Sequence, residues 1–357
     1  MRADPRYPTP CRADRPATRW RLAAPRRAVP ASVAAGGILV VALAGALAAV
    51  APTPARAQTW PTRPVSVVYP FAPGGTIEQA ARLIVAEAGK ALGQPLIFEN
   101  RPGANGMVAL NAVRRARWED HLVGIANNST LITVPLASPR DRTEPDKDYL
   151  PAALLFQSPG TVLVANPGLP VRDLQGLLAH ARSHPRALNA AVIGTGGNGH
   201  LALELLKAMS NVEITNVPYK VDAQAVPDLL SGTVQLLFGG TGMVQHVSAG
   251  KLVALGVTGP GRWDSLPNVP TLKEAGLPDF EVTGWYGVIA PPGTPAEVVT
   301  RLGAAFGKAM TDAEVRKKVR DYGQLMIAAG AGDFRKRIAS DLERWRPVIQ
   351  NAGIRIE

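Results

Sequence analysis

From Pro64 onward the chain alternates short runs of β-branched and aliphatic residues with windows whose apolar residues recur at helical spacing. Residues 65–69, 95–99 and 122–126 read as strands. Between the first two, residues 77–92 set Ala80, Leu83, Ile84 and Ala88 on one helical face and stop at Gly93. A second helical window covers 109–116. The connector 138–148 holds three Asp, two Arg, a Glu, a Lys and two Pro, the composition of a surface loop.

The pattern then starts again. Residues 161–167 form a strand ending in a Pro turn, 171–183 a helix and 190–193 another strand. That strand runs into Gly194-Thr195-Gly196-Gly197-Asn198-Gly199-His200 and a strong helix over 201–209. Further apolar runs at 217–220, 229–238 and 252–258 complete this half. From Glu281 the chain reads as a strand with a Pro-rich turn, followed by helices over 296–310 and 334–351. Strands alternating with amphipathic helices predict an α/β fold.

The first 57 residues change how the charge is read. Residues 2–27 carry eight Arg, residues 28–51 carry no charge, and Ala55-Arg56-Ala57 follows as a small-x-small cleavage pattern. Residues 1–57 are therefore expected to be an export signal cleaved near Ala57-Gln58, the rival reading being an uncleaved membrane anchor, since the apolar stretch is about long enough to span a bilayer. This segment holds nine Arg and two Asp, seven of the chain's eleven net positive charges, so only about +4 remains on the rest. The strongly basic face expected of a nucleic-acid-binding protein is missing from that balance. Cys11 is the chain's single cysteine and lies in the leader, so a disulfide, a thiol nucleophile and a Cys metal site are all excluded from the mature chain.

The candidate chemistry lies in two glycine-rich loops. A glycine turn opening a helix exposes unpaired backbone N–H groups at the positive end of the helix dipole and can hold a carboxylate or a phosphate. Gly74 and Gly75 let a ligand approach the backbone, with the Thr76 hydroxyl beside them; Gly194, Thr195 and Gly196 do the same from the second loop. The alternative is that these glycines only make tight turns. No phosphate-loop motif occurs, and Gly194, Gly196 and Gly199 match the dinucleotide fingerprint only in part, without its acidic partner. No nucleophile-elbow or zinc-protease motif occurs, and no metal site is expected: His180 and His184 share i, i+4 spacing but lack a third ligand. His200 either points into a cleft or packs the helix start. Trp285 and Tyr286 either line a ligand pocket or belong to the core.

These residues carry a family resemblance. YPFAPGG at 69–75, LGQPLIFENRPGANG at 92–106, VPYK at 217–220, DLLSG at 228–232, AGKLVALGVT at 249–258, LPNVPTLKEAGLPDFE at 266–281, WYGVIAPPGTP at 285–295 and NAGI at 351–354 resemble the periplasmic solute-binding receptors of tripartite tricarboxylate transporters, the Bug family. The resemblance covers essentially all of the mature chain. It implies a two-domain periplasmic binding protein of the type II, Venus-flytrap kind, with the ligand cleft between domains. Domain 1 is expected to be discontinuous, over 58–158 and 281–357, with domain 2 inserted over 159–280 and hinges near 156–160 and 280–286.

The implied function is capture of a small organic carboxylate (di- or tricarboxylate, aromatic acid or acidic amino acid) and its delivery to membrane transporter subunits. No enzyme activity and no cofactor are expected, and the receptor is expected to be a monomer. The alternative is a ligand-sensing partner of a membrane sensor kinase. Phe71, Pro73, Gly74, Gly75, Thr76 and Glu78 from the first loop, and Gly194, Thr195, Gly196 and His200 from the second, are the candidate ligand-binding residues. Asn128, Ser129 and Trp285 join them. Departures from the family pattern bear on selectivity: Glu78 stands where Asp is usual, aliphatic Val192 and Ile193 replace two hydroxyl residues, residues 118–122 read WEDHL, and Gly239-Gly240-Thr241-Gly242 follows Phe238. They predict a less polar or differently shaped carboxylate.

Overall fold

Val65, Val67, Val68 and Tyr69 are all buried because their strand, β1 (Val65–Tyr69), lies inside a sheet with both faces covered. In the computed structural model, which describes residues 60–140 and 143–356, it is followed by α1 (Thr76–Leu92), β2 (Leu96–Asn100), α2 (Met107–Arg115) and β3 (Leu122–Asn127). A π-helical turn (Ser129–Thr133) and two single helical turns lead to β4 (Leu150–Gln157). Next come β5 (Val162–Ala165), α3 (Leu174–Ser183), β6 (Asn189–Ile193), α4 (Asn198–Ser210), β7 (Thr215–Tyr219), α5 (Asp222–Ser231), β8 (Leu236–Gly239) and β9 (Val253–Val257). The chain ends with β10 (Trp285–Ala290), α6 (Ala296–Thr311), α7 (Ala313–Asp321), β11 (Leu325–Gly330) and α8 (Ala331–Asn351).

The strands form two mixed sheets, ordered β11-β4-β10-β3-β1-β2 and β7-β6-β8-β5-β9. β2, β1 and β3 are parallel, as are β7, β6 and β8; the remaining pairings are antiparallel. Strand β10 therefore returns the chain to the first sheet after the second is complete. One core cluster is continuous from Val68, Leu110 and Leu131 through Trp285 to Leu163, Leu201 and Phe238, so it reaches both sheets.

Helix α1 buries Ala80, Ala81, Ile84, Val85, Ala88 and Leu92 and ends at Gly93, whose φ of 78° is the left-handed cap expected of a terminal glycine. The predicted helix at 171–183 begins later, at Leu174. Asp173 caps it by accepting the Gly176 N–H at 2.7 Å. The run at 229–238 is two elements: α5 ends at Ser231, Gly232 turns the chain at φ 83°, and β8 starts at Leu236. The connector at 138–148 is not wholly irregular, since Pro145–Asp148 forms a helical turn. Helix α7 and strand β11 have no counterpart in the sequence reading, and α8 starts three residues before the predicted 334. The expected export signal lies outside the described residues. Among those described, no helix is long and apolar enough to cross a membrane.

Two crossings link the sheets side by side. Ser158 N–H donates to Gly284 O at 2.7 Å, and Gly284 N–H returns to Ser158 Oγ at 3.0 Å. Deeper in, Thr258 Oγ1 donates to Val282 O (2.7 Å) and accepts the Thr161 N–H (2.8 Å). These bonds fasten the strand-to-strand connections to one another.

Candidate functional site

The first loop follows β1 at the carboxyl end of the parallel strands, where ligands of open α/β sheets bind. Phe71 is half-buried, with its ring edge against Tyr69 (centroids 5.6 Å apart) and its carbonyl accepting Asn100 Nδ2 at 3.0 Å. Pro73, Gly74, Gly75 and Thr76 are exposed. Gly74 has φ 108°, and Gly75 takes the cap position of α1 with no side chain capping the helix. The N–H groups of Gly75, Thr76 and Ile77 find no acceptor among the described residues.

Glu78 sits beneath this loop rather than in it. It is 5% exposed, accepts Arg82 Nε and Nη2 on Oε1 at 2.9 and 2.5 Å, and receives the Gly74 N–H on Oε2 at 3.4 Å. Arg82 also donates to Asn100 Oδ1 (3.1 Å) and lies over the Phe98 ring at 4.4 Å. The extra methylene relative to Asp thus carries a carboxylate that braces the loop from below, with its charge balanced by Arg82.

The second loop follows β6. Gly194 and Thr195 are exposed and Gly196 is buried; Gly194 and Gly196 have φ 67° and 77°. Gly197 occupies the cap position of α4, again with no capping side chain. Several loop N–H groups are committed internally. Gly194 donates to Tyr219 O (3.2 Å), Gly197 to Gly194 O (3.0 Å) and Gly196 to His200 Nδ1 (3.1 Å). The Thr195 N–H and the first-turn groups of α4 have no acceptor among the described residues. His200 therefore points back under the loop, and burial holds its imidazole pKa below the ordinary histidine value, with Glu204 opposing that shift and Lys207 adding to it. Val192 and Ile193 lie in β6 and pack into core clusters, so those aliphatic departures change the core under the loop.

The π-helical turn after β3 brings the two halves together, and sequence reasoning missed it. A Cβ on Gly196 would lie 2.8 Å from Thr133 Cγ2 and 2.9 Å from Ile356 Cδ1. A Cβ on Gly106 would lie 2.6 Å from Thr130 Cγ2 and 3.0 Å from Pro70 Cβ. Contacts therefore run from the end of β1 through Thr130 and Thr133 to the second loop. Asn128, buried, donates from Nδ2 to Asn198 Oδ1 at 2.8 Å, joining the end of β3 to the start of α4. Gly284 at the crossing lies against the same pair: a Cβ there would be 2.7 Å from Asn198 Nδ2. Ser129 is half-buried next to Asn128. Asn198, Thr133 and Gly284 were absent from the sequence-derived set, although a polar residue directly after a Gly-rich turn is the signal that marks Asn198.

Trp285 departs from its expected place. It is completely buried, donates its indole N–H to Asp341 Oδ2 at 2.6 Å and meets the Phe334 ring edge-on at 5.3 Å. It is a core residue joining β10 to α8, and the pocket-lining expectation is corrected accordingly. Its neighbour Tyr286 stacks on Phe156 at 5.1 Å, and burial raises its phenol pKa.

Comparison with known proteins places these loops in context. Residues 80–354 match the model of the tripartite tricarboxylate transporter family receptor. A protein of Pseudomonas sp. (strain P51), named for the tcbD-tcbE intergenic region, is 37% identical over 86% of this chain and 92% of its own. An R. palustris protein solved with adipate is 34% identical, with a TM-score of 0.68, over 83% of this chain and 99% of that one. MatC from Rhodopseudomonas palustris, with bound malate, is likewise 34% identical, with a TM-score of 0.65, over 81% and 100%. The fold is that of a two-domain α/β periplasmic binding protein.

Proposed function

Since the chain belongs to the tripartite tricarboxylate transporter receptor family, we propose that it is an exported receptor that captures a small organic carboxylate between its two glycine-rich loops and hands it to membrane transporter subunits. The observation that carries this reading is the pair of uncapped helix starts, α1 at Gly75 and α4 at Gly197, each preceded by glycines and each at the carboxyl end of a parallel strand. Two such ends supply N–H donors and positive dipole potential without a fixed cationic side chain. Gly75, Thr76 and Ile77 hold the carboxylate from one side; Thr195 and the first turn of α4 hold it from the other. Phe71 and Pro73 shape the wall, and Asn128 and Ser129 stand at the seam.

The relatives solved with adipate and malate support a dicarboxylate as the first ligand to test. The domain division falls at the paired crossings, with residues 58–158 and 281–357 on one side and 159–280 on the other. Closure about these crossings sequesters the ligand, and no bond is made or broken. The test is a thermal-shift panel of mono-, di- and tricarboxylates, aromatic acids and acidic amino acids on residues 58–357. A ligand at about 100 times its Kd adds about 2.7 kcal/mol, or roughly 4 °C for a chain of this size. Silence of a folded protein toward the whole panel rejects carboxylate capture.

The Asn128–Asn198 bond crosses the seam and acts as a closure latch. Asn128→Ala leaves Asn198 Oδ1 without its donor and weakens the closed form by about 1 kcal/mol, roughly fivefold in affinity. Small-angle scattering checks it: the ligand-free variant should be more open than the wild type, and an unchanged profile with unchanged affinity argues against the latch.

A further inference from the structure

A buried polar cluster beneath the second loop is unused by backbone capture of a carboxylate. His200 is 7% exposed, and its Nδ1 accepts the Gly196 N–H at 3.1 Å. On the opposite edge of the ring, Nε2 lies 3.2 Å from Asn216 Nδ2 and 3.8 Å from Glu204 Oε1. The Asn216 amide is held in its orientation, because Nδ2 donates to Glu204 Oε1 at 2.7 Å and Oδ1 accepts Lys207 Nζ at 3.3 Å. Lys207 Nζ also pairs with Glu204 Oε1 at 2.8 Å. Donors face both ring nitrogens, the Gly196 N–H at Nδ1 and Asn216 Nδ2 at Nε2, and a neutral imidazole accepts on only one. Acceptance on Nδ1 puts its proton on Nε2, where Asn216 Nδ2 makes no hydrogen bond to the ring and Glu204 Oε1, 3.8 Å away, is the nearest acceptor.

We infer that His200 is a positioning residue for carboxylate binding: its neutral ring takes the Gly196 N–H, holds Gly196 in its left-handed turn and keeps the remaining loop N–H groups turned toward the ligand. This rests on the two-loop reading above. The choice of side chain follows from the chemistry. A buried N–H left without an acceptor costs about 1–3 kcal/mol, so an aliphatic residue fails. A carboxylate acceptor would place negative charge directly behind an anion site unless a cation balanced it, as Arg82 balances Glu78 under the first loop. A neutral acceptor at the Nδ1 position satisfies both demands, and the asparagine Oδ1 is the other one that reaches it.

Protonation removes the acceptor. An imidazolium presents N–H on both nitrogens, so its Nδ1–H meets the Gly196 N–H head-on and the loop is released. The charged groups acting on the ring are Glu204, which favours the charged form, and Lys207, which opposes it, both on α4; β7 contributes the uncharged Asn216. Burial dominates and lowers the folded-state pKa. The contact is therefore present at neutral pH and is lost as pH falls through that lowered value.

Two measurements test the inference. Nitrogen-15 NMR of the ligand-free protein at neutral pH should find His200 as the Nε2–H tautomer, with coupling across the Gly196 N–H to Nδ1. A protonated Nδ1 overturns the assignment whatever the protein binds. Adipate and malate are then titrated against wild type, H200N and H200Q at about pH 7.5 and at successively lower pH for as long as the protein stays folded. H200Q should lose roughly tenfold in affinity and H200N stay within about threefold of wild type. Acidification should weaken wild type more than H200N, a comparison in which titration of the added acid cancels. Equal losses in H200N and H200Q overturn the positioning role. If neither acid binds wild type, dicarboxylate capture has failed, and the tautomer measurement decides the His200 contact separately.

Discussion

Gly196→Val should lower carboxylate affinity by about 100-fold, or about 2.7 kcal/mol, in a protein that still folds. Two causes act together. Gly196 has φ 77°, a conformation in which a β-branched residue is a genuine outlier and L-residues lose about 1–2 kcal/mol. The new Cβ would also fall 2.8 Å from Thr133 Cγ2 and 2.9 Å from Ile356 Cδ1. Ile356 can swing its terminal methyl away, whereas Thr133 is buried in the π-helical turn and stiff at χ1. The loop is therefore pushed from the π-helical turn that follows β3, and its N–H groups leave the positions proposed for carboxylate capture. Gly194→Ala separates the two causes, because Gly194 has φ 67° with nothing within 4 Å of its Cβ position and suffers only the conformational part. Isothermal titration with a carboxylate that stabilises the wild type reads both. Wild-type affinity in Gly196→Val would remove the second loop from the site.

Trp285→Ala should destabilise the fold by about 3–5 kcal/mol, the range for deleting a fully buried aromatic, and lower the melting temperature by roughly 5–8 °C. The indole is completely buried and its N–H satisfies Asp341 Oδ2. Asp341 also accepts Arg337 Nε on both oxygens at 3.1 Å, and Arg337 donates to Thr283 Oγ1 at 3.3 Å. This network joins α8 to the crossing just before β10. Trp285→Phe keeps most of the apolar volume but leaves Asp341 Oδ2 without its indole donor, so a smaller loss of about 1–3 kcal/mol is expected. Urea unfolding distinguishes these values. A near-neutral Trp285→Ala would mean that the indole does not hold α8 to the sheet.

The elements most legible in the chain are those whose determinants lie within a turn or two of each other. Residues 77–92 read as a helix because an alanine-rich stripe and a terminal glycine suffice, and α1 occupies Thr76–Leu92. Residues 65–69 read as a strand and form β1 over the same span. Helix α7 was missed because only Val315 and Val319 mark its buried face, yet the Asp312 cap, which accepts the Val315 N–H at 2.9 Å, was a usable local signal. Strand β11 had no comparable signal. Its side chains are mostly exposed or half-buried, and its ladder to β4 shifts register between Met326 and Ala329, around Ala328 at φ 57°. It is a strand because the open edge of β4 pairs with it.

The same division applies to the site. Glycine turns ahead of amphipathic helices marked both loops, since turn chemistry is local. Their atomic use was decided elsewhere. Glu78 braces its loop because Arg82 and Asn100 meet beneath it, and His200 turns inward because its Nδ1 meets the Gly196 N–H. Asn128 bonds to Asn198 across 70 positions, and Trp285 to Asp341 across 56. By itself the sequence determined which segments are strands and helices and where glycine turns precede helix starts, because propensity, period and caps act over a few residues. The tertiary structure alone decided sheet order, the meeting of Thr133 with Gly196 and which polar side chains are buried, because those depend on contacts between segments that no local pattern encodes.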